Sequence, residues 1–181
     1  MMGSVQFREP LRSADERQIA EHEIMKPSVY VETTIISYLT ARPSRDLIVA
    51  GHQQITSEWW ENVRPEVDCF VSPFVIEEAS RGDSVMAAKR LEAITEFPVL
   101  TTHETVDELA RCYFERMNIP EAVKTDAFHV ATAAAYGIDY LLSWNCQHIA
   151  SAHVQKIIQE LNDELEIPTP IMCTPEALME V

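Results

Sequence analysis

The feature that most constrains the fold is a recurring unit: a short apolar run that ends on polar or acidic side chains and leads into a helix-forming stretch. Val29-Tyr30-Val31 ends on Glu32-Thr33-Thr34. Phe70-Val71-Ser72 leads into Pro73 and then the acids Glu77-Glu78. Tyr140-Leu141-Leu142 ends on Ser143-Trp144-Asn145, after an alanine-rich stretch headed by Thr125-Asp126. Short apolar runs alternating with helical stretches argue for parallel strands joined by crossover helices. In such a sheet, ligands bind beyond the carboxyl ends of the strands. The unit that sets the fold therefore also places acids where such folds do chemistry.

The pattern predicts strands at residues 28–31, 68–71, 98–101, 140–143 and 170–173. A helix begins at Ile35 and is interrupted near Arg42-Pro43. Residues 47–63 have helical spacing, with Ile48, Ile55, Trp59 and Trp60 apolar. Ser72-Pro73 starts a helix that Gly82 ends, with serine as the cap, and Asp83 caps the next. Further helices are expected at 105–117, at 122–136 (closed by Gly137), at 154–165 and, short, after Thr174-Pro175. The expected architecture is a three-layer α/β sandwich around a parallel sheet. Residues 1–26 stand apart as a polar extension, expected to be mobile or loosely packed, before a domain spanning 27–181.

Composition narrows the function. Four glycines among 181 residues leave no Gly-x-Gly-x-x-Gly and no P-loop, which argues against the usual nucleotide cradles. The polar N-terminal stretch lacks a signal-peptide core, and no apolar run is long enough to cross a bilayer, so a cytoplasmic protein is expected. Cys69, Cys112, Cys146 and Cys173 are widely spaced and read as reduced core thiols. A net charge of −15 repels phosphate unless a metal ion or a local basic patch reverses the field.

The acids supply the means for that reversal. Glu32, Glu78, Asp126 and Asn145 all follow, or head a helix beside, the carboxyl ends of predicted strands. Glu78 suits the crevice better than Glu77, because Ile76 and Ala79 face the core. Asp126 and His129 share a helix face at i, i+3, and a histidine there is more often a satisfied core residue than a ligand. Asn145 is a weaker ligand, a water positioner or a cap for the turn after it, and Trp144 reads as packing. Three carboxylates and one amide suit a hard divalent cation such as Mg²⁺, and not zinc. Such a site suits metal-assisted hydrolysis of a phosphodiester. Like charges sharing the crevice should raise the carboxyl pKa values. Arg42, Arg45, Arg81, Lys89 and Arg90 are candidate basic guides for such a substrate near the predicted crevice.

Val-Tyr-Val-Glu-Thr-Thr, Ser-Pro-Phe-Val-Ile-Glu-Glu-Ala, Thr-Asp-Ala-Phe-His-Val-Ala-Thr-Ala-Ala and Leu-Leu-Ser-Trp-Asn, in that order, resemble the motifs of PIN domains, and most nearly those of VapC-type toxins. The resemblance covers about residues 27–178. It implies a PIN-like three-layer α/β/α sandwich with a mainly parallel five-stranded sheet. It implies a Mg²⁺- or Mn²⁺-dependent endoribonuclease of the cytoplasm, often a homodimer, held inactive by a cognate antitoxin protein. Carried over by motif, the catalytic and metal positions fall on Glu32, Glu78, Asp126 and Asn145. Glu32 and Asn145 stand where most relatives carry aspartate. Self-association is also expected from the aromatic surface of Trp59 and Trp60. The alternative is a PIN-like scaffold whose crevice is weak or inactive and serves as a protein-binding module. A haloacid-dehalogenase-like phosphatase would need paired aspartates after the first strand, where this chain has Glu32, Thr33 and Thr34.

Overall fold

A computed structural model describes residues 26–117, 121 and 124–179. The extension at 1–25 lies outside the described residues. Strand β1 (Ser28–Val31) is followed by helices α1 (Thr33–Thr40) and α2 (Leu47–Asn62). Next come β2 (Asp68–Phe70), α3 (Pro73–Ala79), α4 (Ser84–Ala93) and α5 (Glu104–Met117). The chain closes with α6 (Thr125–Ala135), β3 (Tyr140–Leu142), α7 (Ala152–Leu165) and β4 (Ile171–Cys173). Single 3₁₀ turns sit at Arg64–Glu66 and Pro175–Leu178.

The four strands form one parallel sheet in the order β2-β1-β3-β4, flanked by helices. Val29, Tyr30 and Val31 are fully buried, as expected of a central strand covered on both faces. The sheet has four strands where five were expected. At 98–101 pairing is reduced to an isolated bridge between Val99 and Val71, with Val71 N–H donating to Pro98 O and Leu100 N–H to Val71 O. Pro98 has no N–H to give, so the ladder does not extend past that bridge.

Around the sheet, α1 packs on α2, α3 and α4, while α5 packs along α6 and α7. Helix α6 is buried from Ala127 through Ala134 except at Phe128, and its alanines let it lie close to both β3 and α5. The break between α1 and α2 falls where Arg42-Pro43 predicts it, and Asp46 caps α2 by accepting from Ile48 N–H and Val49 N–H. Asp83 caps α4 in the same way. Gly137, at φ 63°, takes the left-handed position that ends α6.

Three expectations change. Ser72 does not cap α3; its hydroxyl bonds the Tyr30 hydroxyl. Trp59 is fully buried, and Trp60, half-buried, packs beside it and Phe97, so these rings offer less exposed aromatic surface than expected. The cysteines are free but not all in the core: Cys112 and Cys146 are exposed, and Cys173 is half-buried. No helix among the described residues is long and apolar enough to cross a membrane.

Candidate metal and nuclease site

Connections from β1 and β3 leave in opposite directions, to β2 and to β4, although the two strands are neighbours. This is a topological switch point, which opens a crevice at the strands' carboxyl ends. Glu32 continues β1 there, its N–H donating to Leu142 O at 3.1 Å. Ser143 and Asn145 leave β3 beside it. Helices α3 and α6 enter from the sides with Glu78, Asp126 and His129.

Glu32 is buried, with 5% of its surface exposed. Its Oε2 accepts from Ser143 Oγ at 2.7 Å and from Thr34 Oγ1. Thr34 Oγ1 in turn accepts from Trp144 N–H, which ties the ends of β1 and β3 together. Neither Thr33 nor Thr34 caps α1, because both hydroxyls face carboxylates. Thr33 donates to Glu78 Oε2. Of the paired acids, Glu78 turns into the crevice, while Glu77 lies exposed against Arg81 at 2.6 Å.

His129, 1% exposed, joins the two sides of this arrangement. Its Nε2 lies 3.2 Å from Glu78 Oε2, and its Nδ1 lies 2.8 Å from the Tyr30 hydroxyl. Tyr30 is also 2.6 Å from Ser72 Oγ. One ligand atom each from Glu32, Glu78 and His129 lies within 4.8 Å of the other two. Asp126 stands next to this trio and is held by Asn145, whose Nδ2 donates to its Oδ2 at 2.9 Å. Asn145 Oδ1 accepts from His148 N–H at 3.0 Å, so Asn145 both caps its own turn and orients Asp126. Trp144 is packing: it stacks on His52 at 4.0 Å and donates to Thr56.

The charges interact as their spacing requires. Burial pushes the Asp126 carboxyl up, Asn145 and His129 offset part of this, and Glu32 adds to it, leaving Asp126 above its ordinary value. Burial also pushes Glu78 up, but the hydrogen bond and charge of His129, with Thr33 and Arg81, outweigh it and hold Glu78 low. The expected rise in carboxyl pKa therefore applies to Asp126 and not to Glu78. Burial opposes the charged form of His129, yet Glu78, Glu32 and Asp126 together hold its pKa above the usual histidine value. Three carboxylates face one imidazole, so the crevice carries surplus negative charge even with His129 protonated. That surplus and the donor set fit a divalent cation.

Of the candidate RNA guides, Arg81 is paired with Glu77, and Arg90 donates to the carbonyls of Ala79 and Arg81. Arg42, Arg45 and Lys89 are exposed and form no ion pair among the described residues.

Tyr30, Ser72, Thr33 and Thr34 were not anticipated as site residues. A usable signal existed for Tyr30, since residues i and i+2 of a strand share a face and Glu32 is two residues on.

The fold and crevice define an α/β architecture, a parallel sheet flanked by helices, with an acidic site at the switch point. The backbone is similar to a chain in the crystal structure of VapBC2 from Rickettsia felis bound to a DNA fragment from their promoter, with a TM-score of 0.52. The two chains are 12% identical, and the match covers 81% of this chain and 98% of that one, a likeness that shows the fold alone. No protein-family model matches the chain, and no curated protein matches it.

Proposed function

We propose that the protein is a metal-dependent ribonuclease, the toxin of a toxin–antitoxin pair, hydrolysing RNA phosphodiester bonds with Mg²⁺ or Mn²⁺. The observation that carries this reading is the convergence of Glu32, Glu78 and His129, with Asp126 alongside, at the switch point of a PIN-like sheet. Glu32, Glu78 and Asp126 would hold the cation. When bound, a divalent ion supplies a nucleophilic water near neutral pH and stabilises charge on the phosphoryl oxygens. Thr34 and Ser143 fix the Glu32 carboxylate, Thr33 fixes Glu78, and Asn145 fixes Asp126, so the acids are aimed before the substrate arrives. Asn145 acts through Asp126, because its own oxygen is engaged by His148 N–H. The likeness to a chain of the VapBC2 structure supports a protein partner, and blockade of the crevice by that partner and a homodimer are part of the same proposal.

Purified full-length protein should cleave RNA with Mg²⁺ or Mn²⁺ and lose this in EDTA and in Asp126→Asn. Expressed without a partner it should slow growth, and Asp126→Ala should relieve that. Failure to cleave any RNA with either metal, together with harmless expression, would leave the protein-binding scaffold as the better reading.

A further inference from the structure

We propose that His129 is itself a ligand of the cation, through Nε2, and that the Tyr30 hydroxyl positions the ring for this. The proposal rests on the metal-dependent reading above.

The placement is the first argument. His129 Nε2 is in the group that falls within 4.8 Å, with Glu32 and Glu78, and Asp126 is not. Ligands on opposite sides of one small ion lie about 4.2 Å apart, since each bond is about 2.1 Å. Closing the trio around an ion therefore needs side-chain movements of less than roughly an ångström.

The second argument is the proton. Nε2 lies 3.2 Å from Glu78 Oε2, and since an ionised carboxylate can only accept, Nε2–H is the donor. A metal-bound imidazole must instead offer the Nε2 lone pair and keep its proton on Nδ1. Buried at 1% exposure, that Nδ1–H needs an acceptor inside the protein. Metal-ligating histidines are held in just this way by a partner on the second nitrogen. Here the partner is Tyr30, 2.8 Å away, and its hydroxyl can in turn donate a hydrogen bond to Ser72 Oγ, 2.6 Å further on. A hydroxyl both donates and accepts, so the same contact serves the ring in either tautomer. A carbonyl in that place would fix one tautomer, and an apolar side chain would leave Nδ1 unpaired. Tyr30 is thus a positioning residue, and Ser72 completes its hydrogen bonding.

An imidazole added to the carboxylates favours Mn²⁺-class transition cations over Mg²⁺, which prefers oxygen and retains its waters. The test is pulsed electron paramagnetic resonance of Mn²⁺ bound to the full-length protein. The expected spectrum shows ¹⁴N coupling from directly bound imidazole, absent in His129→Gln. Tyr30→Phe should keep the coupling while weakening Mn²⁺ binding roughly 10–100-fold, the range for losing such a partner. Bound Mn²⁺ without ¹⁴N coupling in the wild type overturns the proposal and leaves the nuclease reading standing. Coupling that survives in His129→Gln also overturns it. If Mn²⁺ does not bind at all, both fall. The wild-type spectrum decides the matter even where a variant fails to fold.

Discussion

Two buried polar networks lie on different sides of this molecule, and they are built to different ends. In one, Tyr113 of α5 donates to Asn162 of α7, and Asn162 donates to Thr169 Oγ1 at 3.0 Å in the segment before β4. Every member is neutral, and none of its buried side-chain polar atoms lacks a partner. In the other, Ser72, Tyr30 and His129 lead to Glu78, with Glu32 and Asp126 close by. That network ends on negative charge that His129 and Arg81 balance only in part. A neutral, satisfied network fastens helices together; a charged, incomplete one marks where a ligand belongs.

The contrast predicts that the two networks separate under mutation. The largest effect should be on turnover. Asp126→Asn should lower metal-dependent RNA cleavage by more than about 100-fold, beyond the range for losing an outer-shell partner, with its melt little changed. Cleavage assays with a fluorescent RNA beside thermal melts measure both. Metal should stabilise the folded chain by about 2.7 kcal/mol at a hundred times its dissociation constant. Denaturant titration with and without Mn²⁺ should show this shift in the wild type and not in Glu32→Gln. Asn162→Ala should do the reverse. Leaving the buried Tyr113 hydroxyl without its partner should cost about 2 kcal/mol, with the Mn²⁺-dependent shift intact. An Asn162 variant that lost the metal response would break the distinction between the networks.

The neutral side also carries a small local strain. Glu166 ends α7 at φ 57°, a left-handed conformation that favours glycine. Its N–H bonds the Asn162 carbonyl. Glu166→Gly should therefore stabilise the fold by about 1 kcal/mol, and no change in a denaturant titration would show that the strain is relieved elsewhere.

The sequence makes some of this legible and hides the rest for physical reasons. Val29-Tyr30-Val31 and Tyr140-Leu141-Leu142 read as buried strands because both faces are apolar, and their polar ends mark the sheet edge. Glu78 rather than Glu77 enters the crevice, but not wholly on the expected ground, because Val75 and Ala79 face the core while Ile76 is exposed. The fifth strand was overread because a short apolar run says nothing of how many partners it finds, and Pro98 limits Val99 to one bridge. Trp59 and Trp60 looked like excess surface because helical spacing does not reveal what packs on a helix. His129 was legible as a neighbour of Asp126, but its bond to Tyr30 joins residues 99 apart in sequence. No local pattern encodes such a pairing. Ser72 was hidden similarly: a hydroxyl beside a helix start reads as a cap, and here it is claimed by the site.

The most direct test of the central claim is anomalous scattering from crystals of the full-length protein soaked in Mn²⁺. The account predicts a peak at the carboxyl ends of β1 and β3, within bonding distance of Glu32 and Glu78 and beside Asp126. Peaks confined to surface carboxylates, with that crevice empty at saturating Mn²⁺, would contradict it.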